Sequence, residues 1–327
     1  MYANASPLQF CSKMDGILVI NKPSGMTSHD VIIQLRRILR EKKIGHTGTL
    51  DPDATGVLPV CIGKATKIIQ FLEDKEKGYE GTITLGIETD SMDASGEIIS
   101  VSDSSEVKSD DVESVLKRFI GEIDQIPPMV SAKKINGERL YKLARQGKTV
   151  DRKPVRISIY NFELIKFYKE NIPEVDEHKA FAKFDFSVLC SRGTYIRALA
   201  SDIGDALGCG AHLSRLVRIR SGRFTIEESI GLDEIKSDPQ IVASSIISID
   251  NALSFMPLVI VNESGKKKFT NGVQVDTTDI LSFDNGMKAN DIIRIHDNLG
   301  MLLGIGEAIQ STPEFINYRP IKVFVSN

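Results

Sequence analysis

The sequence predicts an α+β fold with a mixed, mainly antiparallel sheet, followed by a small C-terminal β barrel or sandwich. Three features point there. Strand-like and helix-like apolar runs intermingle without regular β-α-β alternation. One glycine-rich segment, Gly45–Gly56, suits neither a helix nor a strand. From about Asn251 the chain breaks into short β-like pieces separated by Asn- and Gly-containing turns. With 327 residues there is room for one sizeable core and a small second domain. We expect residues 1–250 to form the first domain and 251–327 the second, with the Pro257 region as linker.

The elements follow in order. Gly16 to Asn21 is a β-branched apolar run that ends in the turn Lys22-Pro23-Ser24-Gly25, so a strand is expected. Thr27 or Ser28 can cap the next helix, in which Val31, Leu35, Ile38 and Leu39 make one apolar stripe and the arginines take the other side. Val57 to Ile62 is apolar, Gly63 to Thr66 turns, and Tyr79 to Leu85 alternates like a strand. Gly86 to Gly96 reads as an acidic loop. Asp110 to Glu113 resembles a capping box ahead of Val112, Val115, Leu116, Phe119 and Ile120, a second amphipathic helix. Strands are expected at Val155 to Leu164 and Phe181 to Cys190. A helical stripe follows from Ile196 through Leu199, Ala200 and Ile203 to Leu207, and Gly208 ends it. In the tail, Leu258 to Val261, Asp291 to His296, Met301 to Glu307 and Ile321 to Val325 are β-like.

Composition narrows the function. Hydrophobic residues are 41% and charged residues 26%, as in a globular protein, and no apolar run has the length of a membrane span. The N-terminus lacks a basic stretch followed by an apolar one, so a cytoplasmic location is expected. Cys11, Cys61, Cys190 and Cys209 show no paired spacing and read as structural thiols. The net charge of -3 hides clustering. Gly86 to Asp124 holds eleven acids against three bases, whereas Ser131 to Arg156 holds nine bases against two acids. Arg215, Arg218, Arg220 and Arg223 form a second basic run, and Arg36, Arg37, Arg40, Lys42 and Lys43 a third. Any one could be a solvated face; three together favour a polyanionic partner.

Asp51 is the leading chemical candidate. The segment GHTGTLDPDATG presents it from a stiff loop, because Pro52 drives it out of helical geometry and the glycines reach angles closed to other residues. A turn aspartate that only stabilises its own loop is the plain alternative. Asp51 with Asp53 could be an acid pair, but residues two apart lie only roughly 7 Å apart in an extended chain, and glycosidase acids usually come from separate elements. Adding His46 makes a conceivable metal site, although the spacing matches no metal motif. Arg197 falls in the first turn of its helix, where it could meet a carboxylate, touch phosphate or lie on the surface. Tyr79 opens a strand, and by itself it reads as core packing.

Taken in order, GILVINKPSGMTSHDV, GHTGTLDPDATGVLPVCIGKATK, LGIETDSMDASGE, IPPMVSAKKINGERLYKLARQG, RKPVRISIY and CSRGTYIRALASDIGDALGCGAHLSRLVR resemble the bacterial TruB family, which isomerises the uridine at position 55 of the tRNA T loop. The tail, with HDNLGMLLGIGE and YRPIKVF, is similar to a PUA-type RNA-binding domain. The resemblance implies the pseudouridine synthase fold and assigns Asp51 as nucleophile, Tyr79 as the aromatic stacked on the target base and Arg197 as the partner of Asp51. It further implies that His46 holds the opened loop, that Tyr195 and Leu216 line the uridine pocket and that Lys22 supports its wall. Asp53 and Val130 depart from the family pattern, which more often has an apolar and an aromatic residue there. Moving the ribose bond from N1 to C5 of uracil changes no oxidation state, so neither cofactor nor metal is expected. The target base must be turned out of its stack, and the basic segment Ser131 to Arg156 would grip the phosphates of the T arm. A monomer acting on tRNA without a membrane is the expected state. An RNA-folding chaperone, or a related synthase for ribosomal RNA in a guide-RNA particle, are the alternatives.

Overall fold

The computed structural model of the chain describes residues 14–72, 76–129, 134–135, 138–139, 150–312 and 315–325. Most of the basic segment Ser131 to Arg156, as well as Val130 and Cys11, lies outside the described residues.

Among the described residues, fourteen strands precede the tail. They are β1 (Gly16–Lys22), β2 (Ile44–His46), β3 (Thr55–Ile62), β4 (Glu76–Leu85), β5 (Ile87–Thr89), β6 (Ile98–Val101), β7 (Gly121–Gln125), β8 (Lys134–Ile135), β9 (Glu138–Arg139), β10 (Val155–Ile172), β11 (Asp176–Ser191), β12 (Ala211–Ser221), β13 (Phe224–Thr225) and β14 (Ile230–Gly231). Ten of them form one sheet, ordered β14-β1-β3-β12-β4-β11-β10-β7, with β2 on β3 and β13 on β12. It is mixed and mainly antiparallel; the parallel pairs are β1 with β14 and β3 with β12. Helices α1 (Ser28–Leu39), α2 (Ser109–Arg118) and α3 (Ile196–Leu207) cover it, and the short helices α4 (Leu232–Ser237), α5 (Ile241–Ser245) and α6 (Ile249–Ala252) lead to the tail.

Local chemistry explains the helix ends. Thr27 caps α1: its hydroxyl accepts from the Asp30 amide at 3.1 Å, and the Asp30 carboxylate accepts the Thr27 amide at 3.0 Å. Val31, Leu35 and Leu39 then face β1 and β3 in a common core. α2 begins earlier than the sequence suggests, with the Lys108 amide bonded to the Asp111 carboxylate at 3.0 Å. It also ends before Ile120, which is 44% exposed, because Gly121 at φ 110° turns the chain into β7. Val112, Val115 and Leu116 of α2 and Ile196, Leu199 and Ile203 of α3 bury against Ile83, Phe184 and Phe186 of the sheet. Two expectations change. The acidic loop Gly86 to Gly96 opens with the strand β5, which pairs with β6 just beyond it, and the turn from Gly63 is a 3-10 helix reaching Phe71.

The tail contains β15 (Leu258–Val261), α7 (Glu263–Thr270), β16 (Ile280–Phe283), β17 (Ile292–Asp297), β18 (Leu302–Thr312) and β19 (Phe315–Val323). Its strands form an open path, β16-β15-β17-β18-β19. It shares a core with the large sheet, since Ile305 and Phe324 pack with Ile17, Val19, Cys61 and Leu253. Asp250, on α6, accepts from Arg294 at 2.8 Å and pairs with the His296 ring at 2.9 Å. Because this apolar contact is continuous, we expect a single cooperative heat-absorption transition in calorimetry. Two resolved transitions would mean that the tail folds on its own.

Candidate active site

Asp51 lies on the loop between β2 and β3, and three buried side chains hold that loop. Ser28, at the start of α1, accepts the Leu50 amide at 2.9 Å and donates to the Leu50 carbonyl at 3.2 Å. Lys22, fully buried at the end of β1, donates to the carbonyls of Pro52 (2.8 Å), Pro23 (2.8 Å) and Met26 (2.5 Å). Burial lowers its pKa to about 8, against the opposing pull of Asp53 and Asp51. Arg218 of β12 donates to the Val57 carbonyl at 2.7 Å and the Gly48 carbonyl at 2.9 Å. The loop is thus tied to three elements on both sides of Asp51.

Gly56 closes the loop at φ 99°, and a Cβ there would lie 2.3 Å from the Arg218 carbonyl oxygen. Neither the angle nor the contact suits a side chain. Gly56→Ala is therefore expected to cost about 2–4 kcal/mol, read as a lower urea midpoint with unchanged slope. An unchanged midpoint would contradict this packing.

The Arg197 guanidinium, in the first turn of α3 and 7% exposed, approaches Asp51 with Nε at 3.0 Å from Oδ2. Its Nη1 stands 3.5 Å from Oδ2 of Asp93 and donates to the Ser91 carbonyl at 3.3 Å. Asp51 itself is 49% exposed toward the opening, with protein around its other sides. Burial raises its pKa above the ordinary aspartate range; Arg197 opposes that rise and Asp93 adds to it. Desolvation outweighs the guanidinium.

The register of β4 against β12 builds the neighbouring wall. Tyr79 stands opposite Arg218 and Lys77 opposite Ser221, with an irregularity between Arg218 and Arg220. That extra residue brings Arg218 and Ser221 to the same face as Tyr79 and Lys77. The Arg218 guanidinium faces the Tyr79 hydroxyl, and burial raises the pKa of that hydroxyl against the opposing effect of the cation. Tyr195 precedes α3 and is fixed by Gln125, which accepts its amide at 2.8 Å and donates to its carbonyl at 3.0 Å.

Asp51, Tyr79, Tyr195, Arg197, Leu216 and Arg218 line one cleft of about 340 Å³, within the usual size for a small-ligand site. A second cleft of about 580 Å³ shares Asp51, Ala54, Arg197 and Leu216 and continues to Asp93 and Arg215. Lys22 lies beneath the loop. His46, on β2, lines neither cleft; its Nδ1 is buried without a hydrogen bond among the described residues, and burial lowers its pKa. No cluster of metal-ligating side chains occurs among the described residues.

Three site residues escaped the sequence reading: Asp93, Lys77 and Arg218. Asp93 was counted only as part of an acidic loop, yet the Ala94 amide bonds to the Leu213 carbonyl at 3.1 Å and the Leu213 amide to the Met92 carbonyl at 3.0 Å, docking that loop on β12. Arg218 was placed in a basic surface run. Strand alternation separates Arg215 from Arg218, and the irregularity after Arg218 separates it from Arg220, so that Arg215 and Arg220 are exposed while Arg218 is buried.

The cleft thus sets a carboxylate held by a guanidinium beside an aromatic wall on the mixed sheet. The family model described as TruB family pseudouridylate synthase (N terminal domain) matches residues 36–196, and that of the tRNA pseudouridylate synthase B C-terminal domain matches residues 197–254. The chain belongs to the TruB family of pseudouridine synthases. It is 45% identical over 322 residues to tRNA pseudouridine synthase B of Bacillus cereus (strain ATCC 10987 / NRS 248), covering 96% of this chain and 98% of that protein. The enzyme of the same name from Clostridium perfringens (strain 13 / Type A) is 42% identical over 299 residues, covering 90% and 95%. Among solved structures, a chain of an H/ACA RNP bound to a substrate RNA containing 2'-deoxyuridine is 27% identical with a TM-score of 0.69, covering 95% of this chain and 85% of that one.

Proposed function

We propose that this enzyme converts the uridine at position 55 in the T loop of tRNA to pseudouridine, with Asp51 as nucleophile and no cofactor. The observation that carries this reading is the 3.0 Å pair of Asp51 and Arg197 in a cleft walled by Tyr79. The reaction breaks the N1–C1' bond of uridine and forms a C5–C1' bond. C5 loses a proton and N1 gains one, so atoms and electrons balance without an external reagent. One ionised carboxylate can drive this, provided the base is out of its stack and held in place. Arg197 aims and charges Asp51, Tyr79 supplies a stacking face, and Tyr195 with Leu216 closes the sides. Lys22 acts through the Pro52 carbonyl and is a positioning residue. His46, outside the cleft, would act on the opened loop of the RNA rather than on the target base.

The tRNA reading is supported by relatives named for tRNA at about 45% identity over almost their whole length, against 27% for the chain of the H/ACA RNP. The test is incubation of the purified protein alone with an unmodified tRNA transcript, followed by mapping of pseudouridine. One new pseudouridine, at position 55, is expected. Modification elsewhere, or only when a guide RNA is added, overturns the proposal.

A further inference from the structure

The floor of the smaller cleft carries two cations that the reaction as proposed does not use. Lys77 is 8% exposed and Arg218 1%, and both line the cleft together with Asp51 and Tyr79. Lys77 is braced from behind, its Nζ donating to Ser221 Oγ at 2.7 Å. The tips of both side chains converge on Gly48. A Cβ on that glycine would lie 3.4 Å from Nη1 of Arg218, 3.9 Å from its Nη2 and 3.8 Å from Nζ of Lys77. With no side chain there, and with φ at 73°, the glycine leaves this spot open to an oxygen atom from elsewhere.

The charge balance says what kind of oxygen. Among the described residues Arg218 donates to the carbonyls of Val57 and Gly48 and faces the Tyr79 hydroxyl, and no carboxylate pairs with it. A buried guanidinium without a counter-charge is costly. Lysine and arginine are donors only, so the spot takes an acceptor. A full negative charge compensates the Arg218 guanidinium better than a neutral carbonyl does. RNA carries one such charge per nucleotide. The nucleotide that enters the cleft brings the phosphates on either side of it.

We infer that Lys77 and Arg218 form an anion seat beside Gly48 that takes a backbone phosphate oxygen of the RNA next to the target uridine. The inference rests on the cleft being the uridine site. The seat gives the cleft a polarity: Asp51 and Asp93 repel phosphate at one end, and the two cations attract it at the other. The strand therefore enters in one direction, with its base toward Asp51.

The test uses hairpin RNAs of the T arm in which one phosphate, 5' or 3' of the target uridine, is replaced by an uncharged methylphosphonate. The full-length wild type is expected to bind one of the two about tenfold more weakly than the unmodified hairpin. Lys77→Met binds the unmodified hairpin about tenfold more weakly and is indifferent to that same replacement, while Lys77→Arg keeps the wild-type discrimination. Indifference of the wild type to both replacements overturns the seat, as does an equal further loss in Lys77→Met. The wild-type arm needs no altered protein, so misfolding of a variant cannot decide the result. Pseudouridine formation on the unmodified hairpin is followed in the same samples. Product without a linkage effect removes the seat alone, whereas absence of product removes the uridine-site reading and the seat together.

Discussion

Asp51→Asn is expected to lower pseudouridine formation by at least about 10⁴-fold, in line with the loss of a nucleophile in other enzymes. The amide has the shape of the carboxylate, lacks its charge and does not attack. Structure should survive the change. Asp51 is half exposed, and the loop is held by Ser28, Lys22 and Arg218 through the backbone, none of them through the Asp51 side chain. Arg197 keeps Asp93 and the Ser91 carbonyl as partners. Binding of a T-arm hairpin is therefore expected to stay within a few-fold of wild type, about 1 kcal/mol or less. Substantial turnover by this variant would remove Asp51 from the chemistry. Loss of binding together with turnover would show that the residue supports the loop instead. Measuring tRNA refolding with the same variant separates modification from a chaperone role, since refolding that persists without product belongs to binding alone.

Arg197→Met should lower the rate at neutral pH by about 10²–10³-fold, the range seen when one charge-stabilising donor is removed from an active site. A second effect makes the assignment specific. Burial already raises the pKa of Asp51, and Arg197 is the largest influence holding it down. Without the guanidinium, Asp51 faces Asp93 with no intervening cation, so its pKa climbs further. The active form is the carboxylate, and activity is lost as the pH falls through that pKa. The acid limb of the wild-type profile should therefore lie above the titration of a free aspartate, near pH 3.9, and move to still higher pH in Arg197→Met. Raising the pH then recovers part of the lost rate. Arg197→Lys keeps the charge but not the two-pronged geometry and should fall between the two. A reduced rate with an unmoved acid limb would assign Arg197 to RNA contact rather than to Asp51.

Local signals carried much of the fold. The Thr27 and Asp30 cap, the stripe from Val31 to Leu39 and the glycine after Leu207 are each complete within one or two helical turns, so α1 and α3 could be read without their neighbours. β12 could not. Its residues, Ala211 to Ser221, mix apolar, hydroxyl and basic side chains, and it becomes a central strand only because β3 and β4 lie on either side. α7 was missed for a similar reason: in ESGKKKFT only Gly265 and Phe269 are buried, too little for an apolar period. The tail strands were recognised individually, but not the shared core that joins Ile305 and Phe324 to the large sheet.

The amino-acid sequence alone determined that Asp51 sits on a constrained turn, because proline and glycine act on the backbone within a few residues. It also placed Arg197 at the head of a helix and, through the TruB resemblance, pointed to uridine chemistry in RNA. Tertiary structure decided which charges meet. Asp93 reaches Arg197 because its loop docks on β12, and Arg218 is buried opposite Tyr79 because of strand register and one irregularity. Electrostatic energies depend on distance and burial between segments far apart in the chain, and neither quantity is written in the order of the residues.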